Sequence, residues 1–262
     1  MTSDLELIRD AALEAGETAL GFLKAGGVET WAKTGGSPVT SADIAVDRLL
    51  KERLLGARPD YGWLSEETAD DSSRLAARRT FVVDPIDGTI AFIKGRPWWV
   101  VSIAVVEDGR PTAGVLNAPA VGEVYTAEVG GGAHLGRAPI HATHREALEG
   151  AAMLSDVRTI RHPSWAEPWP EMRIESRNSV AYRMALVAAG AFDAVLALSS
   201  KCDWDLAAAD LIAAEAGALS TDHRGRPFAY NQPSVQKPSL ICAGPPLHRL
   251  ILERVSHIDL PD

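Results

Sequence analysis

Cysteine is nearly absent. The 262-residue chain has two, Cys202 and Cys242, far apart and in no CxxC pair. That excludes a disulfide framework, a zinc ribbon and an iron–sulfur centre. Long apolar runs are missing as well. The longest alanine-rich stretch, near 184–198, is broken by Asp193, which argues against a membrane span. The stretch Met1–Glu6 has no basic or apolar leader character, so no signal peptide is expected and the expected location is cytoplasmic. Positive charge is in deficit. Lys and Arg number 26 against 35 Asp and Glu, a formal charge of −9. This argues against a dedicated nucleic-acid binder, and the Arg78-Arg79 pair is too short for a basic stripe. A small phosphorylated partner stays open, because bound cations can reverse the local field. Repeats and low-complexity tails are also lacking.

What remains is a globular composition, 46% hydrophobic and 23% charged. A chain of this length buries about 70–75% of its unfolded surface and needs no staple. Residues 4–25 read as a helix, with Leu5, Ile8, Ala12, Ala15, Ala19 and Phe22 at helical spacing and Gly26-Gly27 as the stop. Residues 28–39 read as a loop holding Lys33, Gly35, Gly36 and Pro38. Thr40 reads as an N-cap with Asp43 in the first turn. That helix should run to about Leu55 and bury Ile44, Val46, Leu49, Leu50 and Leu54. Strands are expected at 61–65, 80–83, 98–106, 113–118 and 123–127, closely spaced and so antiparallel, ending at Gly130-Gly131-Gly132.

The second half changes character. Strands are expected at 151–155, 172–175, 194–198 and 240–243, and helices at 178–189, 204–216 and 246–255. A Pro/Trp-rich loop spans 162–170. The expected division is an amino-terminal α+β part, 1–140, and a carboxy-terminal α/β part, 141–262.

The sharpest chemical feature is Val82-Val83-Asp84-Pro85-Ile86-Asp87-Gly88-Thr89. A strand runs into Asp84, and Pro85 fixes a sharp exit. Asp87 follows three residues later, so both carboxylates can converge. Gly88 lets a ligand approach the backbone, and Thr89 opens a short helix whose N–H groups favour an anion. Two carboxylates beside an anion seat suit a divalent metal with a phosphate. The plain alternative is a turn, since Asp-Pro and Asp-Gly are ordinary turn dipeptides. Glu66-Glu67, Asp43 and Asp205 lie at other element ends and favour the site reading. No G-x-S-x-G occurs, and His134, His141, His144, His162 and His248 read as solvated loop residues.

These segments resemble the inositol monophosphatase family, within the magnesium-dependent, lithium-sensitive phosphatases that include 3′(2′),5′-bisphosphate nucleotidases and fructose-1,6-bisphosphatases. Asp84-Pro85-Ile86-Asp87-Gly88-Thr89 matches its signature. Ser65-Glu66-Glu67-Thr68 matches its upstream acid pair. Lys33 with Pro38-Val39-Thr40-Ser41-Ala42-Asp43, and Trp204-Asp205-Leu206-Ala207-Ala208-Ala209, match the other two segments. The resemblance covers about residues 5–257. It implies an α/β fold, an α/β/α/β/α layered sandwich, and a homodimer. It implies metal ligands at Glu66, Asp84, the Ile86 carbonyl, Asp87 and Asp205, with Glu67 in the same network. Thr89 and Asp43 would orient the attacking water, with Lys33 near the metals. Gly88 and Thr89 would hold phosphate. The implied cofactor is Mg²⁺, two or three ions, with Mn²⁺ as a substitute and Li⁺ and Ca²⁺ as inhibitors.

Substrate choice is less constrained. The family's inositol-contacting Glu falls near Leu198, and none stands there; Asp203 and Ser200 are the candidate replacements. Lys201 beside the site suits a second phosphate, and Arg177 and Ser179 are candidate substrate contacts, with Asn178 where the family often has Gly. Asp205 is also expected to face the substrate. The readings are an inositol-phosphatase-like enzyme, then an adenosine 3′,5′-bisphosphate nucleotidase, then a sugar bisphosphatase or histidinol-phosphate phosphatase. All imply a small phosphorylated metabolite as partner, with no nucleic-acid polymer and no membrane. Trp165 and Trp169 read as packing residues, and Phe92, Trp98 and Trp99 as core or interface.

Overall fold

The computed structural model describes residues 2–26, 28–33, 38–70 and 72–260. Helix α1 spans Asp4–Ala25, opened by a Ser3–Glu6 capping box and closed by Gly26 at φ 70°. Gly27, Gly35 and Gly36 lie outside the described residues. The segment expected to be a loop contains two short strands, β1 (Thr30–Ala32) and β2 (Pro38–Thr40), paired antiparallel. Three-residue strands are too short to show a period in sequence. Helix α2 (Ser41–Ala57) has Thr40 as N-cap and Asp43 completing the capping box. Its buried face is Ala42, Asp43, Val46, Asp47, Leu50 and Leu54. Ile44, expected inside, is 43% exposed, because the small and acidic residues Ala42, Asp43 and Asp47 take the inner face instead.

Strands β3 (Gly62–Ser65), β4 (Arg79–Asp87), β5 (Val100–Glu107), β6 (Arg110–Ala118), β7 (Glu123–Glu128), β8 (Gly132–Leu135) and β9 (Ala138–Pro139) form one seven-stranded sheet in chain order. β3 and β4 run parallel; the rest are antiparallel. The triple glycine does not end the sheet. Gly130 and Gly132, at φ 74° and 75°, turn the chain back into β8. β4 also outlasts its expected end at Val83. It pairs with β5 as far as Asp87, through an irregularity between Asp84 and Asp87, where Pro85 has no N–H for the ladder. Helix α3 (Thr89–Ile93) follows at once.

Beyond Pro139 come β10 (Ala152–Leu154), α4 (Val157–Ile160), β11 (Arg173–Glu175), α5 (Val180–Ala188), β12 (Ala194–Ala197), β13 (Lys201–Cys202), α6 (Asp203–Glu215), β14 (Leu219–Thr221), β15 (Gln236–Lys237), β16 (Leu240–Ala243) and α7 (Pro245–Val255). Five of these strands make a second, mixed sheet in the order β11-β10-β12-β16-β14. α4 and β14 are single short elements that sequence reading missed.

The layers are α/β/α/β/α. One core lies between α1, α2 and the first sheet, built on Ile8, Leu50, Phe81, Ile103 and Val115. The largest fills the space around α5 and α6, between the two sheets, with Val82, Leu116, Met184, Leu206 and Cys242. A third lies between the second sheet and α7, with Met153, Trp169, Leu247 and Ile251. Gly114 lets α6 pack closely against the first sheet. A Cβ there would stand 2.9 Å from the Ala208 carbonyl oxygen. Phe92 and Trp99 are core residues packed edge to face, and Trp165 meets Trp169 the same way. His248, read as a solvated loop residue, sits buried on α7 with Nε2 2.9 Å from Thr221 Oγ1.

One long-range polar contact fastens the molecule. Arg74, in a 3-10 turn over Ser73–Ala76, is 1% exposed. Its guanidinium pairs with Asp70 and donates to the Asn231 side chain at 2.7 Å and the Gln232 carbonyl at 3.1 Å. Among the described residues no helix is long and apolar enough to cross a membrane.

Candidate active site

The site lies where four elements end or begin. β3 delivers Glu66, β4 delivers Asp84, Ile86 and Asp87, α3 begins at Thr89, and α6 brings Asp205 from the far half. These residues, with Gly88, line one cavity of about 190 Å³, together with Asn178 from the α5 side. Carboxylate oxygens of Asp84, Asp87 and Asp205 all lie within 4.8 Å of one another. The parallel β3–β4 pair puts Ser65 opposite Val83, so Glu66, just after β3, and Asp84, the next residue of β4, come at the same end of the two strands.

Each acid is fixed by the backbone. Ile86 N–H donates to Asp84 Oδ1 at 3.0 Å across the proline. Asp87 Oδ2 accepts from Ser179 Oγ and from the Ala181 N–H, each at 2.6 Å, so it anchors the first turn of α5. Asp205 Oδ2 accepts from the Cys202 N–H at 2.8 Å at the start of α6. Gly88 has φ 101°, and a Cβ there would meet the Trp98 carbonyl oxygen at 2.8 Å; only glycine fits this bend.

Behind these groups stand two supports. Thr89 Oγ1 is 3.3 Å from Asp43 Oδ1 and 3.2 Å from the Ile86 carbonyl oxygen. Asp43 is buried and also accepts from the Thr40 N–H at 2.8 Å. Lys33 Nζ donates to Glu66 Oε1 at 2.7 Å and Glu67 Oε1 at 2.6 Å.

The electrostatics are those of crowded acids. Burial, then repulsion from Glu66, Asp87 and Asp205, holds the Asp84 carboxyl well above the usual carboxylate range. Burial pushes Asp205 up to about 7, with Asp87 adding to it. Asp87 is pushed up to about 6 by burial, against the opposing bonds from Ser179 and Ala181. Glu67 is pushed up to about 7 by burial, although Lys33 opposes this. For Lys33, burial disfavours the charge, but the bonds to Glu66 and Glu67 outweigh it and its pKa is raised. A cluster of acids that resist ionisation together is a seat for a cation. An all-oxygen donor set of this kind suits a hard divalent ion.

The remaining expected residues fall outside the cavity lining. Ser179 caps α5, accepting from the Tyr182 N–H at 2.9 Å while its hydroxyl serves Asp87. Arg177 stacks 5.3 Å from the ring centroids of both Trp98 and Phe192 and pairs with Glu175 at 3.4 Å. Lys201 donates to the Ser199 carbonyl, the Ser199 hydroxyl and the Ser200 carbonyl, all at 2.7–3.0 Å. Asp203 is fully buried, ion-paired with Lys237 and bonded to the Asn231 N–H, so it does not face the cavity. One nearby group escaped sequence reading: Arg183, whose Nε donates to the Ser179 carbonyl at 3.2 Å. The available signal was a single charge inside the apolar run Val180–Ala188, one turn after Ser179.

A family model, that of the inositol monophosphatase family, matches residues 2–259. A histidinol-phosphatase of Chlorobaculum parvum is 32% identical over 235 residues, covering 86% of this chain and 88% of the relative. An inositol-1-monophosphatase of Rhizobium meliloti is 35% identical over 195 residues, 71% and 73% of the two chains. A 3′(2′),5′-bisphosphate nucleotidase of Aggregatibacter actinomycetemcomitans is 31% identical over 241 residues, 87% of each. The solved structure of a Thermotoga maritima IMPase superposes with a TM-score of 0.83 over 96% of each chain, at 26% identity. With its four matched segments meeting at one acidic cavity inside this fold, the chain belongs to the inositol monophosphatase family.

Proposed function

We propose that the protein is a Mg²⁺-dependent phosphomonoesterase that hydrolyses a small phosphate ester with water as the nucleophile. The observation that carries this reading is the convergence of Asp84, Asp87 and Asp205 within 4.8 Å, in a cavity also lined by Gly88 and Thr89. Glu66, Asp84, the Ile86 carbonyl, Asp87 and Asp205 would hold two or three ions. Bound Mg²⁺ would offset the phosphate charge and lower the pKa of a neighbouring water.

The chain's own groups do the positioning. The Thr89 hydroxyl shares its one proton between Asp43 and the Ile86 carbonyl, so its lone pairs are left to accept a hydrogen bond from the attacking water. That aims the water oxygen at phosphorus, and Asp43 behind it holds the hydroxyl in one orientation. Backbone N–H groups of Gly88 and Thr89, at the turn into α3, would hold the phosphate oxygens. Lys33 holds Glu66 and Glu67 in place by donating to both. A cytoplasmic homodimer is the state the family membership supports, and light scattering on the purified protein checks the assembly.

The relatives act on three different kinds of phosphate ester at similar identity, so identity does not rank the substrates. Leu198, and a buried Asp203, count against an inositol-selective pocket. The test is phosphate release with Mg²⁺ from inositol 1-phosphate, adenosine 3′,5′-bisphosphate, fructose 1,6-bisphosphate and histidinol phosphate. Release that stops on chelation supports the reading. No release from any member at saturating Mg²⁺ removes it.

A further inference from the structure

Asp47 lies on the inner face of α2, one turn after Asp43 and beside Val46 and Leu50. It is 7% exposed, and its side-chain partners among the described residues are two hydroxyls rather than a cation. Oδ1 accepts from the Ser65 hydroxyl, and Oδ2 accepts from the Thr68 hydroxyl at 2.7 Å. A buried carboxylate served by neutral donors alone carries a desolvation cost that an apolar side chain on this face would avoid. What the two hydroxyls hold accounts for it.

Ser65 and Thr68 bracket Glu66-Glu67 in the chain. Ser65 Oγ gives its proton to Asp47, and its lone pair accepts from the Glu67 N–H at 3.4 Å. Thr68 Oγ1 likewise accepts from Trp63 Nε1 at 3.3 Å, on the strand that leads into the pair. Each hydroxyl thus links the Asp47 charge to an N–H, and the segment carrying Glu66 is pinned at both ends. Both oxygens of residue 47 must accept. An asparagine would turn an NH₂ on one hydroxyl whose lone pair already holds an N–H. Lys33 grips the far end of the Glu66 side chain, and Asp47 fixes the backbone from which that side chain grows. From the same face of α2, Asp43 meets Thr89 Oγ1 at 3.3 Å. One helix face therefore positions both the hydroxyl that aims the water and the chain segment that puts Glu66 in the cavity with Asp84. Resting on the phosphatase reading above, we propose that Asp47 is a positioning residue for cation binding, holding Glu66 in place through Ser65 and Thr68. Without it, the Glu66 segment has to be ordered as the ion binds, and that ordering subtracts from affinity rather than from the chemical step.

The test compares the full-length wild type with Asp47→Asn, with the Ser65→Ala, Thr68→Val pair, and with all three changes together. Calorimetry on the metal-free protein measures Mn²⁺ affinity, and phosphate release from the four esters named above is followed as Mg²⁺ is varied. Mn²⁺ affinity should fall about 10-fold in Asp47→Asn, the low end for groups that support a metal ligand. The Mg²⁺ concentration for half-maximal rate should rise by a similar factor, while kcat recovers at saturating Mg²⁺, the mark of lost binding rather than lost chemistry. The Ser65→Ala, Thr68→Val pair should reproduce the loss, and adding Asp47→Asn to it should cost no further affinity. Unchanged Mn²⁺ affinity in Asp47→Asn, with only the melting temperature in EDTA lowered, would overturn the proposal and leave the acid a packing group. Should Asp47→Asn fail to fold, unchanged affinity in the Ser65→Ala, Thr68→Val pair overturns it equally. Wild type that binds Mn²⁺ but releases no phosphate from any ester would instead remove the phosphatase reading, and the affinity comparison would still decide the role of Asp47.

Discussion

Ser179 Oγ donates to Asp87 Oδ2 at 2.6 Å, joining residues 92 positions apart. An acid at the end of β4 thereby caps a helix of the other half. Its second bond, from the Ala181 N–H, makes the carboxylate part of α5 as much as of the cavity. Asp87→Asn should therefore be read on two axes. Turnover with saturating Mg²⁺ should fall about 10³-fold, since a charge aimed at the reacting group is lost. Asparagine still offers one acceptor to α5, and the metal-free cluster loses one repelling charge. The melting temperature in EDTA should stay within about 4 °C of wild type, the scale of 1 kcal/mol in a chain of this size.

Thr89→Val removes the hydroxyl between Asp43 and the Ile86 carbonyl while keeping the shape. Turnover should fall about 10²-fold, the usual worth of a positioned proton acceptor. Asp43 keeps its bond from Thr40, so thermal stability should barely move. Thr89→Ser should restore most of the rate. Loss of rate with an unchanged KM for Mg²⁺ separates this role from metal binding.

Lys33→Met leaves Glu67, whose side chain is 4% exposed, without its cation. Urea unfolding of the metal-free protein should show a loss of about 1–3 kcal/mol, the cost of an unsatisfied buried group. Adding Glu67→Gln should recover at least half of it, because the pair acts as a unit. Full additivity of the two losses would mean that Lys33 and Glu67 do not depend on each other.

Asp205 and Glu67, pushed up to about 7, and Asp87, to about 6, set the pH response of the metal-free protein. Their folded-state pKa values lie above those of the unfolded chain, near 4. Between about pH 4 and 7 the folded state binds more protons, so stability falls as pH rises through this window. The melting temperature in EDTA should drop from pH 5 to pH 8. The gain on adding Mg²⁺ should be larger at pH 8 than at pH 5. A melting temperature that rises with pH in EDTA would contradict the crowded-acid geometry.

Much of this was legible before any coordinates, for definite reasons. Asp84-Pro85-Ile86-Asp87-Gly88-Thr89 carries its own geometry, because Pro85 and Gly88 each restrict the backbone to few shapes. The Thr40–Asp43 capping box is a local rule and appears as expected. Long-range choices were not legible. Whether Ser179 points at a ligand or at Asp87 depends on a strand 92 residues away. Lys201 curls onto its own loop, and Asp203 turns inward to Lys237; neither orientation has a sequence period. Ile44 was misplaced because hydrophobicity was weighed without the acids Asp43 and Asp47, which the site and its neighbours bring inside.

Arg74 has a bearing on the order of events along the chain. Its guanidinium reaches Asn231 and Gln232, 157 and 158 residues further on. While the chain is still emerging from a ribosome, that residue has only Asp70 beside it and no completed burial. The seal must then form late, after a large loop has closed. Contacts made after the folding barrier act chiefly on the rate of opening. Weakening Arg74 should thus shorten the lifetime of the native state while leaving the speed of refolding nearly as it was.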